Sequence, residues 1–91
     1  MTENTPEIKA FIREYSFLFW YTPEQEKQNI SHELLVEHVL NYGDLDAIRK
    51  LFSVMGISNV ASVFFGMKER KALNYYPEIH SFFTTFFSKY A

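Results

Sequence analysis

The sequence predicts an all-α fold, a compact orthogonal bundle of four to five short helices containing a helix-turn-helix-like pair. Three observations carry that prediction. Apolar residues recur at helical spacing along most of the chain. Gly43, Gly56 and Gly66, the only glycines, each follow such a run, where glycine can stop a helix by taking a left-handed conformation without a Cβ clash. Asp44 and Ser58, which follow the first two glycines, can cap the orphan amides of a new helix. Residues 34–66 therefore hold three short helices, and the rest of the chain is arranged around them.

The first helix starts at Thr5-Pro6, a cap followed by proline where its missing N–H costs nothing. Ile8, Phe11, Ile12 and Tyr15 share its inner face. Leu18 and Phe19 continue that stripe but Phe17, Trp20 and Tyr21 do not, so the helix is expected to fray into an extended segment plugging the core. Thr22-Pro23-Glu24-Gln25 has capping-box form and opens a brief polar turn through Gln28. Ser31 caps a helix over 32–42 whose polar arc is narrow, only Glu33, Glu37 and Asn41. A helix apolar over so much of its girth is the expected centre of the bundle.

The helix over 45–55 is two-faced. Leu45, Ala47, Ile48, Leu51, Phe52, Val54 and Met55 are expected inside, and Asp46, Arg49, Lys50 and Ser53 outside. Residues 59–65 form a short, mostly buried helix. The cluster Met67-Lys68-Glu69-Arg70-Lys71 reads as a loop entering a short turn near 72–74. Pro77 disfavours helical geometry at Tyr76 and forces a break there. The last helix, 78–90, places Ile79, Phe82, Phe83, Phe86, Phe87 and Tyr90 in a single inward stripe.

Composition bounds the function. Ninety-one residues make a single domain, 1–91, able to bury roughly 60–65% of the surface an unfolded chain exposes. Hydrophobic residues are 47% and aromatics 19%, a core of large flat side chains rather than a disordered tail. A net charge of −2 provides no global attraction to nucleic acid or anionic membrane. The absence of cysteine removes thiolate catalysis, disulfides and cysteine-ligated zinc. Apolar runs fall far short of the ~20 residues of a membrane span, and the acidic, proline-containing N-terminus does not resemble a signal peptide. A soluble cytoplasmic protein with no membrane association is expected.

Catalytic and cofactor chemistry finds little support. His32 and His38 flank a segment reminiscent of a zinc-protease helix, but six residues of separation puts them about 240° apart on a ~100°-per-residue wheel, where they cannot face one ion. Glu33 and Glu37 share a face that reads as solvated, and His38 reads as a hydrogen-bonded core histidine. There is neither a glycine-rich phosphate loop nor a nucleophile elbow. The residues argue for a non-enzymatic protein with no metal and no cofactor.

Two surfaces could bind a partner. The helix pair across Gly56 is either a packing corner or a DNA reader. Against the second, Phe52 stands where a small residue is usual and Ser62 where an apolar one is, and residues 57–67 contain no Lys or Arg to neutralise phosphate or read guanine. Lys68, Arg70 and Lys71 beside Tyr75 and Tyr76 form the other, a mix of cations and rings suited to nucleic-acid backbone contact or to an acidic protein patch. The aromatic last helix adds a seam for homodimerisation.

Leu18-Phe19-Trp20 with its acidic, proline-containing turn, then Val39-Leu40-Asn41-Tyr42-Gly43-Asp44-Leu45, then residues 70–76, resemble a family of small bacterial and archaeal proteins of unassigned activity. In that family LFWD precedes a helix ending in V-L-x-Y-G-D; here Tyr21 stands where the family commonly has Asp. The resemblance covers about residues 18–87, and its motifs read as packing and capping motifs. Genes of that family often neighbour abortive-infection-type nucleotidyltransferase toxins, so the resemblance implies an antitoxin-like or accessory partner of such a toxin. The expected function is a protein-interaction module of that kind, the alternative a helix-turn-helix DNA-binding regulator.

Overall fold

In the computed structural model, which describes residues 4–66 and 75–91, the fold is all-α, with no strand among the described residues. Five α-helices run in chain order: α1 (Pro6–Glu14), α2 (His32–Tyr42), α3 (Leu45–Met55), α4 (Ile57–Gly66) and α5 (Pro77–Tyr90). Two 3₁₀ segments, Ser16–Phe19 and Glu24–Asn29, lie between α1 and α2.

The first three helices start where local chemistry dictates. The amide of Ile8 donates to Thr5 Oγ1 at 3.2 Å, that of Leu34 to Ser31 Oγ at 3.1 Å, and that of Ala47 to Asp44 Oδ1 at 2.8 Å. Each satisfies one of the donors that a helix N-terminus leaves open. Helix α2 is the centre, as its composition predicts. Leu35, Val36 and Val39 are wholly buried, and the helix contacts α3, α4 and the first 3₁₀ segment. Helix α1 lays Ile8, Phe11 and Ile12 toward α3. Helix α5 docks on α3 and α4 through rings, with Phe87 5.9 Å from Phe52 and 5.3 Å from Phe64.

Several local expectations are corrected. Residues 17–21 are not extended. The amide of Leu18 donates to Tyr15 O at 2.9 Å and that of Thr22 to Phe19 O at 3.1 Å, so the backbone stays satisfied in 3₁₀ turns. This tighter winding buries Leu18 and Phe19 and turns Phe17, Trp20 and Tyr21 outward. The capping box at Thr22 does not form. Pro23 precedes the second 3₁₀ segment without any side-chain cap, and the segment runs to Asn29 rather than Gln28. Nor is that polar turn wholly exposed: Lys27 is buried, its Nζ donating to Ser16 O at 3.0 Å and lying 3.3 Å from the Glu24 carboxylate.

The glycines act in three different ways. Gly56 alone has a positive φ, 88°, and turns the chain within one residue, so that α3 and α4 meet at 100°. The turn leaves no room for Ser58 as a cap: α4 begins at Ile57, with the Val60 amide bonded to Gly56 O at 3.0 Å. Gly43 has φ −78° and is extended rather than left-handed; its requirement is space, since a Cβ there would lie 2.7 Å from Val39 O. Gly66 is the last residue of α4, with open space around it.

The inward stripes are also narrower than expected. Leu45, at the first position of α3, is 61% exposed; Phe82 and Tyr90 lie on the outer edges of α5, which buries Phe83 and Phe87. The break before Pro77 is present, with Tyr76 extended at ψ 138°. The turn expected near 72–74 falls outside the described residues.

Candidate aromatic interaction surface

The C-terminal end of α2 carries a surface built from three separate parts of the chain. Tyr42 is the last residue of α2, Trp20 and Tyr21 follow the first 3₁₀ segment, and Tyr76 precedes α5. Their rings form a continuous series: Trp20 lies 5.0 Å from Tyr21 and 4.8 Å from Tyr42, and Tyr42 lies 5.6 Å from Tyr76. The last two pairs meet edge to face, the favoured arrangement of aromatic quadrupoles. All four rings stay exposed, from 39% at Tyr42 to 77% at Tyr21.

The platform is fixed from beneath. His38 is buried, with its ring 5.7 Å from Trp20, 5.6 Å from Tyr42 and 5.9 Å from the core residue Phe19. Its Nδ1 lies 3.2 Å from Leu34 O, and because a carbonyl only accepts, Nδ1 carries the proton. His38 is thus the hydrogen-bonded core histidine that its place on the apolar arc predicts. Tyr76 is held by its backbone amide, which donates to Asn41 Oδ1 at 3.1 Å. The Tyr42 hydroxyl has its pKa raised above the ordinary value, first by a hydrogen bond with Tyr76, then by burial, with smaller effects of Tyr76, Tyr21 and Glu37. It remains neutral at physiological pH.

Sequence reasoning located this surface only in part. Of its five candidates, Lys68, Arg70 and Lys71 lie outside the described residues. Tyr75 and Tyr76 do not act together. Tyr75 is 4% exposed, its ring 5.2 Å from Phe64 and 5.8 Å from His80, and burial pushes its hydroxyl far above the usual tyrosine range. Tyr76 alone reaches the surface. Trp20, Tyr21 and Tyr42 were not among those candidates. The signal for the first two is that they fall off the helical stripe of residues 8–19 while being the largest side chains near it.

The helix pair offers no comparable site. The exposed positions of α4 are Ser58, Asn59, Ser62, Phe65 and Gly66, and Asn59 is already committed through Nδ2 to Met55 O at 2.8 Å. No cluster of metal-ligating side chains occurs among the described residues. No single helix among them is long and apolar enough to cross a membrane. No protein-family model matches the chain, and neither a curated protein nor a solved structure matches it.

Proposed function

We propose that this chain is a non-enzymatic protein-interaction module that binds a protein partner through Trp20, Tyr21, Tyr42 and Tyr76. The single observation behind this reading is the ring series itself: four exposed, mutually packed Trp and Tyr side chains over a buried histidine. Trp and Tyr dominate binding energetics at interfaces, and rings already packed against one another lose little rotamer freedom on binding. The family resemblance supports a toxin-type nucleotidyltransferase as the partner, neutralised by direct contact in the bacterial cytoplasm. The alternative, a DNA-binding regulator, is disfavoured by an α4 surface without cations.

The test is affinity capture from the native cell with the tagged parent and with Trp20→Ala/Tyr21→Ala. Both side chains are substantially exposed, so the double variant should fold. Loss of one stoichiometric partner in the variant supports the reading. A single truncation at Trp20 should weaken the purified complex about thirtyfold, the equivalent of about 2 kcal/mol. Retention of that partner by the double variant, together with its loss in Arg70→Ala/Lys71→Ala, would transfer the binding surface to the basic cluster.

A further inference from the structure

Helix α5 presents a ridge of rings to solvent. Glu78, Phe82, Phe86 and Tyr90 follow one another at four-residue spacing, the row that stands up as a ridge on a helix surface. Phe82 is 60% exposed and Tyr90 59%. Between them Phe86 stacks on Phe82 at 6.0 Å and 16°, and on Phe52 of α3 at the same distance and angle. Rings already stacked against the body of the protein lose little rotamer freedom when something docks on them.

The neighbouring row is shaped to receive such a ridge. Ser81, Thr85 and Lys89 run beside it at the same spacing, all exposed, and the two small side chains leave a shallow groove. Their hydroxyls do not need water. Thr84 and Ser88 of the same helix donate to the carbonyls four residues back, His80 O and Thr84 O, each at 2.7 Å, and the same bond is open to Ser81 and Thr85. Charge completes the pattern. Glu78 opens the ridge row and Lys89 closes the groove row. They are the only carboxylate and the only ammonium of α5, and neither forms an ion pair among the described residues.

A second α5 turned antiparallel answers ridge, groove and charges in a single register. With Glu78 facing Lys89 of the second copy, Phe82 falls opposite its Thr85 and Phe86 opposite its Ser81, and the two-fold axis repeats every pair. A parallel arrangement would set Glu78 beside Glu78 and Lys89 beside Lys89, like charges that repel. We infer that the outer face of α5 is a two-fold interface between two copies of this chain, packed antiparallel through the Phe82–Phe86 ridge. None of Trp20, Tyr21, Tyr42 and Tyr76 belongs to that ridge, so self-association stands independently of the partner-binding reading. Helix α5 has 14 residues and is about 21 Å long at ~1.5 Å per residue. The contact therefore falls in the small class, below about 1,200 Å² in total, with a dissociation constant on the order of 10–100 μM.

The experiment is analytical ultracentrifugation of the full chain over a concentration series from about 1 μM to 1 mM, a span that brackets the expected constant. The parent should be monomeric at the bottom of the series and mostly dimeric at the top. Phe82→Asp replaces an exposed ring, so it should fold, as circular dichroism will report, and it should weaken the dimer at least about tenfold. Glu78→Lys and Lys89→Glu should each weaken it about fivefold, because symmetry counts the pair twice. The double variant Glu78→Lys/Lys89→Glu restores opposite charges across the axis and should return to within about twofold of the parent. That exchange keeps the inference testable if Phe82→Asp fails to fold. A parent monomeric throughout, undiminished dimerisation of folded Phe82→Asp, or a double variant no better than either single one would each overturn the interface. A dimer lost in Trp20→Ala/Tyr21→Ala but kept in Phe82→Asp would overturn it as well, and move the seam to the aromatic surface.

Discussion

The backbone amide of Tyr76 donates to the side-chain oxygen of Asn41 at 3.1 Å, across 35 residues of sequence. The bond ties the residue that caps α5 to the last turn of α2, and it fixes Tyr76 beside Tyr42. Asn41→Ala should therefore lower stability by about 1 kcal/mol, read as a fall in melting temperature of about 4–8 °C. It should weaken partner binding as well, although Asn41 is not one of the four rings.

Burial separates two leucines of the same helix. Leu51 is wholly buried and Leu45 is 61% exposed. Leu51→Ala should cost about 2–5 kcal/mol by urea denaturation, whereas Leu45→Ala should stay within about 0.5 kcal/mol of the parent. Equal midpoints for the two variants would contradict the packing of α3.

Glycine substitutions should differ in sign. Gly56→Ala forces a side chain into φ 88° and should destabilise by about 1–2 kcal/mol. Gly66→Ala meets nothing within 4 Å at the end of a helix, so it should be neutral or stabilising by up to about 1 kcal/mol. Thermal unfolding of the pair decides this.

Tyr75 gives stability a pH dependence at the alkaline end. Its folded pKa is raised above the ordinary 10.0, mainly by burial, with a smaller contribution from Glu37. A raised acid stays protonated when folded, so its contribution is complete below about pH 10 and is lost as pH rises, at up to about 1.4 kcal/mol per pH unit for one proton. Tyr75→Phe should remove that share of the slope and cost little at neutral pH, because the Tyr75 hydroxyl is buried without a hydrogen-bond partner. Denaturation midpoints at neutral pH and above pH 10 measure the difference; a parent whose stability is flat there would contradict the burial.

The cation-free α4 predicts no sequence-specific duplex binding. Fluorescence anisotropy on DNA from upstream of the gene should show no complex in the ~10⁻⁸–10⁻¹¹ M range that specific binders reach. A tight complex resistant to competitor DNA would restore the regulator reading.

What the sequence reveals and what it hides follow the range of the interactions concerned. The limits of α2 and α3 are legible because Ser31 and Asp44 bond to amides three residues away, and a periodic apolar run follows each. The winding of residues 16–19 is not, because Leu18 and Phe19 are drawn into a core supplied by distant helices, and the 3₁₀ turn is the backbone that permits it. Tyr75 and Tyr76 look alike in sequence. Only the break before Pro77 and the bond to Asn41 send one ring inward and the other outward. Of the aromatic surface only Tyr76 is legible in the sequence; Trp20 and Tyr21 read there as part of a core plug, and their assembly with Tyr42 from three chain segments does not show.

The single-residue corner at Gly56 also bears on how the chain finds its fold. Because α3 and α4 are joined with almost no loop, bringing them together costs little closure entropy, and α2, which packs on both, lies directly before them in the chain. A nucleus of α2, α3 and α4 would form first, at the fast rates typical of helical proteins rich in near-neighbour contacts. Helix α5 attaches later through Phe83 and Phe87. Truncating Leu51 or Val60 should then slow refolding, while truncating Phe83 should chiefly accelerate unfolding.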